Sequence, residues 1–184
     1  MALPTVGFIC GSLRIGSINA KLTQALSNRV AIAGAVVRHL DLGSYDLPIF
    51  HEDLDQPSGV ARLKSDMLGC DVIIIVTPEY NGSLPALLKN AIDWVSTTGT
   101  EQFVEPLYGI AACTPGPLSG IMVLRELNYI LTRIGADVIA PHIGVGNAAE
   151  AFDAKGFLVA QPSSDLADEM IAKLLVRIEI QTPA

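Results

Sequence analysis

The chain has 184 residues, half of them hydrophobic, and its formal net charge at pH 7 is −7. This length and apolar content predict a single domain over residues 1–184, with a core that needs neither disulfides nor a metal ion. The acidic balance argues against sequence-independent nucleic-acid binding, which needs a basic face.

The sequence carries no signal for secretion or for a membrane. No apolar run approaches the roughly 20 residues needed to span a bilayer, and the apolar run near the N-terminus, residues 6–10, is short and lacks a basic leader. The chain has an odd number of cysteines at wide spacing, Cys10, Cys70 and Cys113. This pattern favours reduced thiols. We therefore expect a cytoplasmic protein without membrane insertion.

Predicted strands and helices alternate through the first half of the chain. Apolar runs predict strands over residues 4–10, 35–42 and 71–77. The third run is β-branched and does not alternate, which is typical of a strand covered on both faces. The helical spacing of apolar residues predicts helices over residues 17–33 and 58–68.

The second half continues this alternation. Ser83 is predicted to cap a helix that extends to Val95, and Ser164 is predicted to cap the last helix. The other predicted elements are a polar loop over residues 97–105, a strand over 106–113, a helix over 121–134, and a fifth strand over 137–140 with 143–145 as a candidate continuation.

This alternation predicts an α/β fold with a parallel sheet. Five strands fit the flavodoxin-like order 2-1-3-4-5 within a three-layer α/β/α sandwich. In that order the first, third and fourth strands are neighbours, so the loops after them meet at one edge of the sheet, where such folds bind ligands. These three loops are residues 11–17, 78–82 and 114–120.

The first loop has the features of an anion site. It joins a strand to a helix N-terminus, where backbone N–H groups lack partners and the helix dipole favours negative charge. Ser12 and Ser17 add hydroxyls, Arg14 adds a guanidinium and Asn19 adds an amide. The spacing fails the nucleoside-triphosphate pattern GxxxxGK[ST], because Ser17 stands where a lysine is required, and it also fails GxGxxG. We therefore predict a site for one phosphate monoester.

Other motifs indicate no separate chemistry. Residues 144–149 fit GxGxxA, but no convincing helix follows them, so we interpret them as a turn. Residues 51–55 lack the second histidine of a zinc site, and the chain has no GxSxG motif. We therefore predict neither a metal site nor a protein nucleophile. Tyr80 directly follows the most apolar strand and is well placed to flank a planar ligand.

Two segments resemble the NAD(P)H-dependent FMN reductase family, which includes flavin, quinone, azo-dye and chromate reductases. Residues 11–19 read GSLRxGSxN, and residues 78–94 read PEYNGSxPxxLKNAxDW. The resemblance extends over residues 4–140. It implies a flavodoxin-like fold, one non-covalent FMN per subunit, NADPH or NADH as co-substrate, and a homodimer or a dimer of dimers.

The resemblance also implies a set of cofactor-binding residues. The loop that holds the FMN phosphate in the family corresponds to Ser12, Arg14, Ser17, Ile18 and Asn19. The loop that contacts the isoalloxazine ring corresponds to Pro78, Glu79, Tyr80 and Asn81. The third loop contributes Thr114 and Gly116.

The third loop departs from the family pattern Ser-Pro-Gly-x-x-Gly-Gly. Thr114 keeps a hydroxyl, but Pro117 stiffens the middle and Ser119 replaces the first glycine of the closing pair. Met122 stands where some members carry an arginine. These departures concern the docking of the nicotinamide or of an anionic substrate more than the binding of flavin.

The resemblance implies hydride transfer from NAD(P)H through bound FMN to a small-molecule electron acceptor, in a ping-pong scheme. The acceptor classes are a quinone, a free flavin, an azo dye or a metal oxyanion. The sequence leaves three alternatives open: a flavodoxin-type electron carrier, an enzyme for another phosphorylated or nucleoside ligand, and a flavin-binding redox sensor that acts through partners.

Overall fold

A computed structural model describes residues 3–181. The strands are β1 (Thr5–Cys10), β2 (Val36–His39), β3 (Val72–Thr77), β4 (Leu107–Cys113), β5 (Asp137–Val138) and β6 (Ile143–Val145). The helices are α1 (Ile18–Ile32), α2 (Ser58–Leu68), α3 (Ala86–Ser96), α4 (Glu101–Val104), α5 (Ile121–Arg133) and α6 (Ser163–Gln181), with a 3-10 helix at Leu42–Tyr45.

The strands form one parallel sheet in the order β2-β1-β3-β4-β5, and β6 also pairs with β4. This confirms the flavodoxin-like fold and the predicted order 2-1-3-4-5. The fifth position is shared by two short strands, because β5 pairs with the start of β4 and β6 with its end. Pro141 lies between them and has no N–H to donate to the ladder.

Helices cover both faces of the sheet. Within β3, Ile73 and Ile75 face a core built with α2 to α5, whereas Val72, Ile74 and Val76 face a core built with α1 and α6. All six residues of β3 are buried. This double burial explains why the strand is apolar from Val72 to Val76, and it gives the predicted three layers.

The predicted helix caps are wrong at Ser83 and Ser164. The chain reaches α3 only after Pro85, because the backbone of Ser83 is hydrogen-bonded to Tyr80 in a turn. Helix α6 begins at Ser163, so Ser164 already lies inside it. The Ser164 hydroxyl accepts a hydrogen bond from Arg29 of α1 at 2.8 Å and thereby joins two helices.

Two predicted segments also differ in their local structure. The predicted polar loop over residues 97–105 contains α4, because the buried amide of Gln102 donates to the carbonyls of Val95 and Gly99 and folds the segment onto α3. The second strand is shorter than predicted. The Asp41 carboxylate accepts the amide N–H of Gly43 at 3.0 Å, which starts the 3-10 helix.

Candidate functional site

The first loop begins against the end of β3 and the first residue of the second loop, at the carboxyl edge of the sheet. The amide N–H of Gly11 donates to the carbonyl of Val76 at 2.8 Å. A Cβ atom at Gly11 would lie 2.9 Å from Oγ1 of Thr77 and 3.4 Å from Pro78. Only glycine allows this approach without displacing its neighbours.

Asn19 connects the first loop to the third. Its side-chain amide donates to the carbonyl of Cys113 at 2.9 Å, and its carbonyl oxygen accepts the Cys113 N–H at 2.9 Å. Asn19 is only 1% exposed. The residue therefore ties the start of α1 to the end of β4, and both polar atoms of its side chain already have a backbone partner.

Serine and arginine side chains organise the first loop. Oγ of Ser17 accepts the amide N–H groups of Asn19 and Ala20 at 3.2 and 3.4 Å, so Ser17 is the N-cap of α1. The Arg14 guanidinium is exposed and donates to the carbonyl of Gly16 at 3.3 Å. Oγ of Ser12 accepts the Arg14 amide at 3.4 Å.

This donor set fits a phosphate group. Within residues 3–181, no acceptor takes up the amide N–H groups of Ile15 and Gly16. The exposed Arg14 guanidinium and the hydroxyl of Ser12 lie in the same loop. Backbone amides, a hydroxyl and a guanidinium before a helix N-terminus are the groups that bind phosphate in proteins. The first loop thus has the chemistry to hold the phosphate of FMN.

The second loop is a tight turn that presents Tyr80 and Asn81. The backbones of Tyr80 and Ser83 exchange two hydrogen bonds of 3.0 and 3.1 Å. Asn81 and Gly82 both have positive φ, 54° and 80°, as in a type I′ turn, which favours Asn-Gly. Tyr80 is 51% exposed and Asn81 is exposed, whereas Pro78 is buried beneath them.

Two carboxylates fasten the second loop to α5. Oε2 of Glu79 accepts the amide N–H groups of Met122 and Val123, both at 3.1 Å, in the first turn of α5. In return, the Glu126 carboxylate of α5 accepts the Ser83 hydroxyl and the Leu84 amide, both at 3.0 Å. Glu79 therefore neutralises the positive end of α5, and the loop and the helix support each other.

The third loop rests on the chain that follows β6. The Thr114 N–H donates to Val145 at 2.9 Å, and the Asn147 N–H donates to Gly116 at 3.1 Å. A Cβ atom at Gly146 would lie 3.0 Å from the Gly116 carbonyl. Gly146 of the GxGxxA segment therefore allows close packing against the third loop. The interpretation of this segment as a simple turn missed this support of the third loop.

Ser119 and Gly120 close the third loop in the left-handed region, with φ values of 57° and 72°. Glycine adopts this conformation without strain, which accounts for the Gly-Gly pair in the related pattern. Ser119 adopts it while its hydroxyl donates to the Pro117 carbonyl at 3.1 Å. The serine departure thus keeps the backbone course of the loop.

Burial shifts the pKa values of two groups near the third loop, Cys113 and His142. It raises the pKa of the Cys113 thiol to about 12, so this thiol stays protonated at neutral pH and is a poor nucleophile. Burial lowers the pKa of His142 below its usual value. Between residues 3 and 181, no group of three or more His, Cys, Asp or Glu side chains is arranged to hold a metal ion.

None of the helices in the described part of the chain is long and apolar enough to cross a membrane.

Known enzymes resemble the chain in sequence. It is 29% identical over 170 residues, 90% of each chain, to an NAD(P)H-dependent FMN reductase of Pseudomonas aeruginosa. It is 30% identical over 159 residues, 84% of each chain, to a quinone reductase of Pseudomonas putida.

The fold has a solved counterpart. FerB of Paracoccus denitrificans, a flavoenzyme described as an NAD(P)H:(acceptor) oxidoreductase, matches with a TM-score of 0.81 at 28% identity, over 97% of this chain and 98% of FerB. Residues 4–150 match the sequence family described as NADPH-dependent FMN reductase. This match includes all three loops at the carboxyl edge of the sheet. The chain therefore belongs to the NADPH-dependent FMN reductase family, a family of enzymes.

Proposed function

We propose that this protein is an FMN-dependent NAD(P)H oxidoreductase, with one FMN-binding domain over residues 1–184. The observation that carries the proposal is the meeting of three loops with complementary chemistry: a phosphate-binding donor set, an exposed Tyr-Asn turn, and a backbone-rich loop after β4. Bound FMN would supply the hydride acceptance and the onward electron transfer that no side chain can supply.

The first loop holds the phosphate end. Arg14 contributes charge, Ser12 contributes a hydroxyl, and the loop amides contribute N–H donors. Ser17 and the adjoining Ile18 fix the first turn of α1. Asn19 acts by positioning, because the backbone of Cys113 engages both ends of its amide.

The second and third loops hold the ring end. Tyr80 and Asn81 are exposed on their turn, so they are available to contact a planar group. Pro78 and Glu79 support that turn, the former by burial and the latter through α5. Thr114 and Gly116 supply the backbone of the third loop, which a hydrogen bond from the Thr114 hydroxyl to the Gly116 carbonyl holds at 3.0 Å.

Because Tyr80 is half exposed, small substrates have room to bind beside it one after the other. NADPH or NADH binds first and leaves, and a quinone, free flavin, azo dye or metal oxyanion follows at the same face, which gives a ping-pong scheme. The chain needs no nucleophile for this chemistry, because its residues only bind, orient and shield the reactants.

The same proposal includes a homodimer or a dimer of dimers. Ile121, Met122 and Tyr129 of α5 are each more than half exposed, and Leu118 beside them is 73% exposed. Clustered apolar side chains on a surface mark interaction sites. Sedimentation at several protein concentrations tests this part, and a monomer at all of them would contradict it.

The decisive experiment is the visible spectrum of the purified protein after loading with FMN. We expect retained flavin absorbance that bleaches when NADPH or NADH is added without oxygen and returns when a quinone is added. A protein that retains no FMN would overturn the proposal. Retained FMN that neither nicotinamide reduces would instead favour an electron carrier.

A further inference from the structure

A groove of about 670 Å³ lies beside the three loops, between α1 and residues 148–156. Ile18 and Lys21 form its α1 wall, Phe152 and Lys155 form the opposite wall, and Pro115 closes the end nearest the third loop. The groove therefore borders the proposed FMN site on two sides. Ile18 directly follows the Ser17 cap, and Pro115 lies between Thr114 and Gly116.

The groove is cationic in an acidic protein. Among the five lysines, Lys64, Lys89 and Lys173 form ion pairs of 2.6–2.7 Å with neighbouring carboxylates. Within residues 3–181, Lys21 and Lys155 form no ion pair. The two lysines without an ion pair in the described part of the chain thus line the same groove.

Residues 153–157 form a turn that places Lys155 at the groove. Oδ1 of Asp153 accepts the amide N–H groups of Lys155 and Phe157 at 2.9 and 2.8 Å. Phe152 and Leu158 form an antiparallel bridge below the turn. Among the described residues that line the groove, Asp153 carries the only carboxylate. One of its two oxygens already accepts hydrogen bonds within this turn.

The walls combine this charge with apolar surface. Phe152 is half-buried, and two alanines, Ala148 and Ala149, lie beside it. An aromatic side chain offers a planar apolar face, and a lysine ammonium binds phosphate as a point charge. A ligand that satisfies both features has a flat apolar ring and at least one phosphate, which describes a nucleotide.

We infer that this groove binds the adenosine end of NADPH, with Lys21 and Lys155 recognising its 2′-phosphate. The inference rests on the proposed function, because it concerns the co-substrate of that reaction. NADH lacks the 2′-phosphate, so the groove gives the enzyme a preference for NADPH. NADH and NADPH share the pyrophosphate, so only the negative charge of the additional 2′-phosphate gives NADPH an attraction to Lys21 and Lys155 that NADH lacks.

The test compares a Lys21→Gln/Lys155→Gln double variant with a Lys89→Gln/Lys173→Gln control, whose lysines are ion-paired elsewhere. With FMN-loaded protein and a saturating quinone, we expect the KM for NADPH to rise about tenfold in the groove variant, and that for NADH by less than about twofold. The control should keep both KM values.

A binding measurement separates this inference from the proposed function. Calorimetric titration with adenosine 2′,5′-bisphosphate should show binding that weakens with salt and is lost in the groove variant, whereas adenosine 5′-monophosphate should bind more weakly to the native protein. Equal changes in both KM values, or a parallel loss of FMN affinity, would overturn the inference. Failure of both nicotinamides to reduce the protein would overturn the proposed function, whatever the bisphosphate does.

Discussion

The side chain of Asn19 pairs with both backbone polar groups of Cys113, through two hydrogen bonds of 2.9 Å. Asn19 lies in the first turn of α1 and Cys113 ends β4. Because both residues are buried, water cannot replace a lost partner without entering the core. This pair therefore sets the spacing between the first and third loops.

Replacing Asn19 by Ala should destabilise the protein by about 2–4 kcal/mol, because it leaves the N–H and C=O of Cys113 buried without partners. FMN affinity should fall as well, since the two loops lose their connection. Urea unfolding and fluorescence titration with FMN measure the two effects. Asn28→Ala, on the same helix and bonded at the surface to Gln24, is the control and should change neither quantity appreciably.

Arg14→Ala should weaken FMN binding by about ten- to a hundredfold, because a charge-assisted contact contributes roughly 1.5–3 kcal/mol. Its free energy of unfolding should stay near that of the native protein, since the side chain is exposed and its internal contact is a single long hydrogen bond to Gly16. Arg133→Ala, at the far end of α5, is the matched control. Unchanged FMN affinity would remove Arg14 from the site.

Glu79→Ala should lower stability by about 1–3 kcal/mol, because two amides at the start of α5 lose a charged acceptor. Glu79→Gln retains an acceptor oxygen and should recover part of the loss. If Glu79 supports the Tyr80 turn, FMN-loaded Glu79→Ala should also show a shifted flavin absorption band.

The exposed Glu52 provides the control for this series. Glu52→Ala should leave both the stability and the flavin band unchanged. A Glu79→Ala protein that unfolds like the native one, with an unshifted flavin band, would show that the carboxylate supports neither the turn nor α5.

Stability should decrease as the pH falls below about 6.5, partly because of His142. Burial lowers its folded-state pKa below the unfolded value, so the unfolded chain binds the proton more readily. The stabilising contribution is complete above the unfolded pKa and is lost as the pH falls through the folded pKa. Denaturant unfolding at pH 7.5 and pH 5.5 should show a smaller decrease for His142→Gln than for the native protein. Equal decreases would exclude His142 as a source.

Local patterns in the sequence predicted the fold well. The β-branched run of β3 and the helical spacing along α1 and α5 depend on burial, which period and composition report directly. The strand order followed from the number and alternation of elements, and it placed the three loops at one edge of the sheet. The hydrogen-bond donors of the first loop could also be identified from the sequence, because they lie close together in it.

Long-range pairings could not be predicted in this way. Ser83 has the residue type of a helix cap, yet its hydroxyl bonds to Glu126, which is 43 residues away. Asn19 has the chemistry of a phosphate ligand, but its partner is a backbone 94 residues away. Nothing near Gly146 in the sequence indicates that its missing side chain makes room for Gly116. Such contacts depend on tertiary position, which leaves no periodic trace.

The interruption between β5 and β6 divides the edge of the sheet into two regions of different local stability. Strand β5 has only two residues paired with β4. Strand β6 is paired with the end of β4, and its last residue, Val145, accepts a hydrogen bond from the Thr114 N–H of the third loop. Short edges with few contacts open at low free energy. Hydrogen exchange should therefore be fast at β5 and slow at Thr114, so that fraying of the sheet edge stops before it reaches the third loop.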